Sequence, residues 1–163
     1  MASAIMTLLR AEAGSLHRVS ADSRKIGPGD VFLAYPGHAT DGRLHIRAAV
    51  SRGASAVLWE REGFEWDQDL PTPNLPVDNL RWLASEIADE VFGRPSENLW
   101  MVGITGTNGK TSISQWVARA FNQLGRKCAV IGTLGSGFPG RLNATGNTTP
   151  DAIVLQEDLA RFS

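Results

Sequence analysis

Residues 100–112 carry the strongest chemical signal in the chain. An apolar run, Trp100-Met101-Val102-Gly103-Ile104, leads into Thr105-Gly106-Thr107-Asn108-Gly109-Lys110-Thr111-Ser112. A strand, then a glycine-rich loop, then a helix opening on Lys-Thr is the order in which a backbone cradles a polyphosphate. Gly106 and Gly109 lack a Cβ, so the loop can turn sharply and bring its N–H groups close to phosphate oxygens. The open amides at the helix start favour an anion there. Lys110 would place a compact positive charge on the terminal phosphates, and the Thr111 hydroxyl could ligate Mg²⁺. The loop departs from the longer G-x-x-x-x-G-K-[ST] form, because Ile104 stands at the first glycine position. That points away from a generic P-loop kinase or GTPase and toward a family with its own version of the loop.

The rest of the chain must position this loop. After it, Ile113, Trp116, Val117, Ala120, Phe121 and Leu124 recur on one helical face, and Gly125 ends the helix. Residues 127–133 read as the next parallel strand of a βαβ unit. Residues 134–147, with four glycines, read as loop. Thr148-Thr149-Pro150-Asp151 reads as a helix start, with Thr149 as N-cap, Pro150 in the first helical position and Asp151 as a surface carboxylate favoured by the dipole. A P-loop domain needs roughly five parallel strands, and the chain supplies roughly two here. The second half therefore reads as an incomplete ATPase domain, and the chain as a piece of a larger protein.

Upstream, residues 2–11 suit a short helix, and turn signals flank an apolar strand, Val31-Phe32-Leu33-Ala34-Tyr35. A helix is expected over 43–52, a buried strand at Ala56-Val57-Leu58-Trp59, an irregular segment over 60–76 with three prolines, and a short strand near 74–77. Leu80, Leu83, Ala84, Ile87, Ala88 and Val91 then form one helical face, with Asp78 or Asn79 as N-cap and Gly93 as stop. The alternation predicts a small α/β domain over residues 1–97. The polar segment Arg94-Pro95-Ser96-Glu97-Asn98 marks the boundary, and the start of a P-loop parallel-sheet domain fills 98–163.

The 163 residues are 42% hydrophobic and 20% charged with net charge −1, which argues against nucleic acid or an anionic membrane as main partner. No apolar run approaches the ~18 residues of a membrane span. Met1 to Leu9 lacks the basic start of a signal peptide, so the cytoplasm is the expected compartment. The single cysteine, Cys128, excludes an internal disulfide and suits a packed strand position. The three histidines do not have metal-site spacing, and the five tryptophans suit core and domain-contact positions.

Four pieces of the chain together resemble the Mur ligases of peptidoglycan synthesis, specifically the MurE-type UDP-N-acetylmuramoyl-tripeptide synthetases. They are Asp22-Ser23-Arg24 with Pro28-Gly29-Asp30-Val31-Phe32; Pro36-Gly37-His38 with Asp41-Gly42; Gly106-Thr107-Asn108-Gly109-Lys110-Thr111; and Asn147-Thr148-Thr149-Pro150-Asp151. The third is shared with folylpolyglutamate synthetases; the other three favour the MurE type, since a folate enzyme has no use for a uridine pocket.

The resemblance implies a three-domain, ATP- and Mg²⁺-dependent acid–amino-acid ligase. In such an enzyme ATP phosphorylates the D-glutamate carboxylate of UDP-MurNAc-L-Ala-D-Glu, and the amine of diaminopimelate or lysine attacks the acyl phosphate. It places uridine contacts on Ala21, Ser23, His38, Ala39 and Thr40, and the ATP loop on Gly106, Thr107, Asn108, Gly109, Lys110, Thr111 and Ser112. Thr111 becomes the magnesium ligand, and Asn147, Thr148 and Thr149 become further substrate contacts. By residue type alone, Ser23 and Arg24 also suit a turn, His38 an exposed loop, and Thr148 and Thr149 a helix cap. The resemblance places the remaining magnesium ligands, the modified lysine and the amino-acid-binding domain beyond residue 163. No catalytic residue is expected in this chain, and no turnover by it alone; a UDP-sugar-binding module without chemistry is the alternative reading.

Overall fold

The computed structural model describes residues 2–14, 16–38, 40–144 and 150–163. Continuous apolar runs are the signature of strands buried on both faces, and two of the four strands of the first sheet are of that kind. The sheet consists of β1 (Arg18–Ser20), β2 (Asp30–Ala34), β3 (Ala56–Glu60) and β4 (Asn74–Val77). All pair in parallel in the order β1-β2-β3-β4, with Val19 opposite Val31, Leu33 opposite Leu58 and Leu58 opposite Leu75. Every residue of β2 is buried.

Side chains alternate across a pleated strand. On one face Phe32, Ala34, Val57 and Trp59 form a cluster with Ile26, Ile46 and Ala49. Ile46 and Ala49 belong to α2 (Ile46–Ser51), which follows a 3₁₀ turn, Gly42–His45, so the helix expected over 43–52 is α-helical over only 6 residues. The irregular segment after β3 completes this face: Phe64, Trp66 and Leu70 pack on the cluster, and Trp66 stacks 6.0 Å from Trp59. Val31, Leu33 and Leu58 point to the opposite face, where α3 (Leu80–Val91) lies against β1 and β3 and packs on α1 (Ala2–Ala13). Met6, Leu9, Leu80 and Ile87 are buried there, and each such side chain contributes about 1.5–3 kcal/mol relative to exposure.

The start of α3 differs from both capping expectations. Asn79 sits at φ 57° and its side chain caps nothing, while Asp78 pairs with Arg61 at 3.3 Å. The cap comes instead from Glu60 at the end of β3, whose two carboxylate oxygens accept from the amides of Asn79 (3.0 Å) and Leu80 (2.7 Å). A carboxylate can satisfy a helix start from a distant element as well as from the N-cap position.

By internal contacts the chain divides into two units, Met1–Arg94 and Pro95–Ser163. The second contains α4 (Lys110–Gln123), β5 (Val130–Gly132), β6 (Gly135–Phe138), β7 (Arg141–Asn143) and α5 (Ala152–Phe162). The strands form an antiparallel meander, Gly132 opposite Gly135 and Phe138 opposite Arg141. This corrects two expectations.

The predicted strand over 127–133 forms only at 130–132, and it pairs antiparallel with the following segment rather than in a βαβ crossover. Residues 134–147, read as loop from their glycines, supply two strands. Strand pairing is decided by the partner, and glycine-bearing strands carry almost no intrinsic signal. The apolar run before the phosphate loop forms no strand: Trp100, Met101 and Val102 are 79%, 58% and 53% exposed. Among the described residues no neighbouring strand pairs with that run, and an unpaired extended segment has no ladder to hold it.

At α5 the cap is Asp151, whose Oδ1 accepts from the amides of Ile153 and Val154 at 3.0 and 2.9 Å, so Pro150 precedes the helix rather than opening it. Thr149 lies outside the described residues. Of the tryptophans, Trp59 is a core residue and Trp66, half-buried, packs against it, whereas Trp82 and Trp116, like Trp100, are largely exposed.

Candidate functional site

Because the four strands of the first sheet run in parallel, their C-terminal ends lie along one edge. The loops that follow them share that edge, the usual place for ligands on such sheets. Ala21 and Ser23 follow β1, and His38 and Thr40 follow the adjacent β2. The structure thus brings together four of the expected uridine contacts, while Ala39 lies outside the described residues. Ser23 is buried in a 3₁₀ turn, Ser23–Lys25; His38 and Thr40 are exposed, with Thr40 Oγ1 3.4 Å from His45 Nε2.

Both loops are built by one local device. In Asp22-Ser23-Arg24, Asp22 Oδ1 accepts from the Arg24 amide at 3.0 Å, and the Arg24 guanidinium returns to the same carboxylate through Nε and Nη2, each at 2.9 Å. In Asp41-Gly42-Arg43, Asp41 Oδ1 accepts from the Arg43 amide at 3.0 Å, and Arg43 Nη2 donates to Asp41 Oδ2 at 2.7 Å.

Burial separates the two. The Arg24 side chain is 83% exposed, but that of Arg43 is only 10% exposed. Arg43 also donates to the carbonyls of Glu60 (3.3 Å) and Glu62 (2.5 Å) and lies 5.3 Å from the Phe64 ring, tying the loop after β2 to the end of β3. Each arginine holds its aspartate below the ordinary carboxylate range. The Arg24 hydrogen bond takes Asp22 from 3.8 to about 2 against the opposing effect of burial, and Arg43 lowers Asp41 for the same reason. Arg43 and Glu60 did not emerge from the motifs. For Arg43 the available signal was the recurrence of Asp-x-Arg, at residues 22–24 and 41–43, after the first two strands of the sheet; Glu60 had none.

The phosphate loop opens α4, with Gly109 at its N-cap. Gly106 and Gly109 hold φ values of +149° and +78°, the region that only glycine enters without strain. The first amides of α4 have no intrahelical acceptors. Lys110 Nζ folds back to donate to the carbonyl of Gly106, with a second, long contact to Thr107 O at 3.4 Å. Lys110 and Thr111 line a cleft of about 330 Å³ whose other wall runs along Val130, Ile131 and Gly132. Among the described residues no cluster of three His, Cys, Asp or Glu side chains could hold a metal ion. Thr111 fits a magnesium ion only as one oxygen ligand beside phosphates and water. Asn147, Thr148 and Thr149 lie outside the described residues.

Two family profiles match the chain in sequence order. The profile described as "Mur ligase family, catalytic domain" matches residues 15–91, and "Mur ligase middle domain" matches residues 104–163. The chain belongs to the Mur ligase family. Among its relatives is a UDP-N-acetylmuramoyl-L-alanyl-D-glutamate–2,6-diaminopimelate ligase of Nitrosomonas europaea, 54% identical over 87% of this chain and 27% of the relative. The ligase of the same name from Chromobacterium violaceum is 55% identical over 90% of this chain and 30% of its own length. A solved structure of a ligase with that name matches 90% of the chain and 29% of its own, at 29% identity and a TM-score of 0.62. This Mur ligase chain therefore spans under a third of the length of these relatives.

Proposed function

We propose that this chain is the nucleotide-binding N-terminal part of an ATP-dependent ligase that adds diaminopimelate to UDP-MurNAc-L-Ala-D-Glu. Residues 1–97 would hold the UDP end of the substrate, and residues 98–163 would begin the ATP domain. The carrying observation is the shared C-terminal edge of a parallel sheet on which Ala21, Ser23, His38 and Thr40 lie in adjacent loops. The names of the relatives supply the substrate and the amino acid.

In this reading the buried Ser23 hydroxyl and the loop backbone hydrogen-bond the uracil edge. Ala39, Asn147, Thr148 and Thr149 remain further substrate contacts by the same family reasoning. In the phosphate loop, residues 106–112 present backbone amides to the ATP phosphates. Lys110 exchanges the loop carbonyls for the terminal phosphates, offsetting charge on the transferring group. The Thr111 hydroxyl would hold Mg²⁺, which when bound neutralises phosphate charge. Attack by the substrate carboxylate on the γ-phosphorus gives an acyl phosphate and ADP, and the amine then displaces phosphate to form the amide. That chemistry belongs to the whole ligase; the chain alone would bind substrate without turnover. The whole ligase would act in the cytoplasm. Among the described residues no helix is long and apolar enough to cross a membrane.

Calorimetric titration with UDP-MurNAc-L-Ala-D-Glu, and separately with Mg-ATP, tests this reading. Binding of the UDP-sugar without ADP release in the presence of ATP and diaminopimelate is expected. Binding of ATP with no binding of the UDP-sugar would overturn it.

A further inference from the structure

Four arginines sit on the loops and helix start at the C-terminal edge of the parallel sheet, and three of them are matched by carboxylates. Arg24 pairs with Asp22 at 2.9 Å, Arg43 with Asp41 at 2.7 Å and Arg61 with Asp78 at 3.3 Å. The fourth, Arg81, is the second residue of α3 and is exposed. Its Nη2 lies 2.6 Å from His38 Nε2, 43 residues away in sequence, and among the described residues no carboxylate pairs with it. A guanidinium can only donate, so in this contact His38 Nε2 is the acceptor and supplies no counter-charge. The pair therefore carries the uncompensated charge of Arg81. The carboxylate of Glu60, nearby in the fold, is already committed to the amides of Asn79 and Leu80.

The contact joins the loop after β2 to the helix after β4, across the end of β3. Its one visible purpose in the fold would be to steady an exposed loop, and a neutral apolar pair would do that without leaving a charge unmatched. What the arrangement adds is a positive guanidinium, its orientation fixed by His38, with its remaining N–H groups facing solvent. From the β1 loop that carries Ser23 to the β4 end is three strand spacings, about 14 Å. That is the reach of a nucleoside diphosphate laid along the edge, not of a free base. We infer that Arg81 binds the diphosphate of the nucleotide-sugar substrate, with His38 positioning its guanidinium. The inference rests on the proposed UDP-sugar function. It adds a residue outside the loops to which the family resemblance assigns that function, and a planar fork of donors suits two phosphate oxygens.

The test is titration of the wild-type chain, Arg81→Ala and Arg81→Lys with UDP, uridine and inorganic pyrophosphate, with circular dichroism as a check on folding. Arg81→Ala should weaken UDP binding about tenfold, with Arg81→Lys intermediate and uridine affinity within about twofold of wild type. Raising the salt concentration should weaken UDP binding more in the wild type than in Arg81→Ala. Wild-type affinity for UDP in Arg81→Ala overturns the inference, as does equal loss of UDP and uridine, which would mean the pocket itself had changed. Pyrophosphate binding as tightly as UDP overturns the nucleotide assignment in favour of a general anion site. A wild-type chain that binds no UDP overturns the underlying function, and this inference with it.

Discussion

The two Asp-x-Arg clasps share a sequence pattern and a bonding pattern, so removing the aspartate from each isolates the effect of burial. In Asp22→Ala the 3₁₀ turn loses its cap, a loss of about 1 kcal/mol. Arg24, already in water, has its charge solvated whether or not Asp22 is present, so its pairing adds nothing measurable. In Asp41→Ala the same cap is lost, but the Arg43 side chain, 10% exposed, keeps its charge among the Glu60 and Glu62 carbonyls and the Phe64 ring. Breaking a buried pair from one side costs about 3–5 kcal/mol, and the partial exposure of Asp41 sets the expectation at the lower end, about 3 kcal/mol.

For a unit of this size that corresponds to a fall in Tm of about 12–24 °C, against about 4–8 °C for Asp22→Ala. Chemical denaturation followed by near-ultraviolet circular dichroism reports on the first unit, because Trp59 is buried there between Phe64 and Trp66. The double variant Asp41→Ala/Arg43→Met should recover part of the loss, since no charge is then left unpaired. Equal costs for the two aspartate substitutions, or strict additivity in the double variant, would refute the reasoning.

Both aspartates titrate below 3.8 in the folded protein, Asp22 at about 2, so their contribution is complete above the unfolded value. It is lost as the pH falls from about 4 toward 2; a denaturation midpoint measured across that range should drop, and less steeply in Asp41→Asn. Glu60→Ala removes the acceptors for two amides at the start of α3 and should cost about 1–2 kcal/mol, with the amides of Asn79 and Leu80 losing protection in hydrogen exchange. Asp151→Ala should destabilise the start of α5 by about 1 kcal/mol, seen as faster exchange at Ile153 and Val154.

Local chemistry was readable directly from the residues. The buried β2 and β3 announced themselves as apolar runs, α3 and α4 as period-3.6 faces, and the phosphate loop as glycines at the two positions that need positive φ. These signals lie within a few residues of one another, and the physics that sets them, side-chain periodicity and backbone sterics, acts over the same range.

What only the tertiary structure decided involves partners far apart in sequence. Glu60 caps a helix 20 residues on, Arg43 anchors a loop to carbonyls 17 and 19 residues on, and Arg81 meets His38 from 43 residues away. The same holds for strands: the apolar residues 100–102 form none because, among the described residues, no ladder partner lies beside them, while the glycine-bearing residues 135–138 form one because partners do. Sequence determined which groups this protein has to offer a nucleotide. Which of their charges are already spent inside the fold, and which remain open to a ligand, was settled when distant segments came within hydrogen-bonding distance.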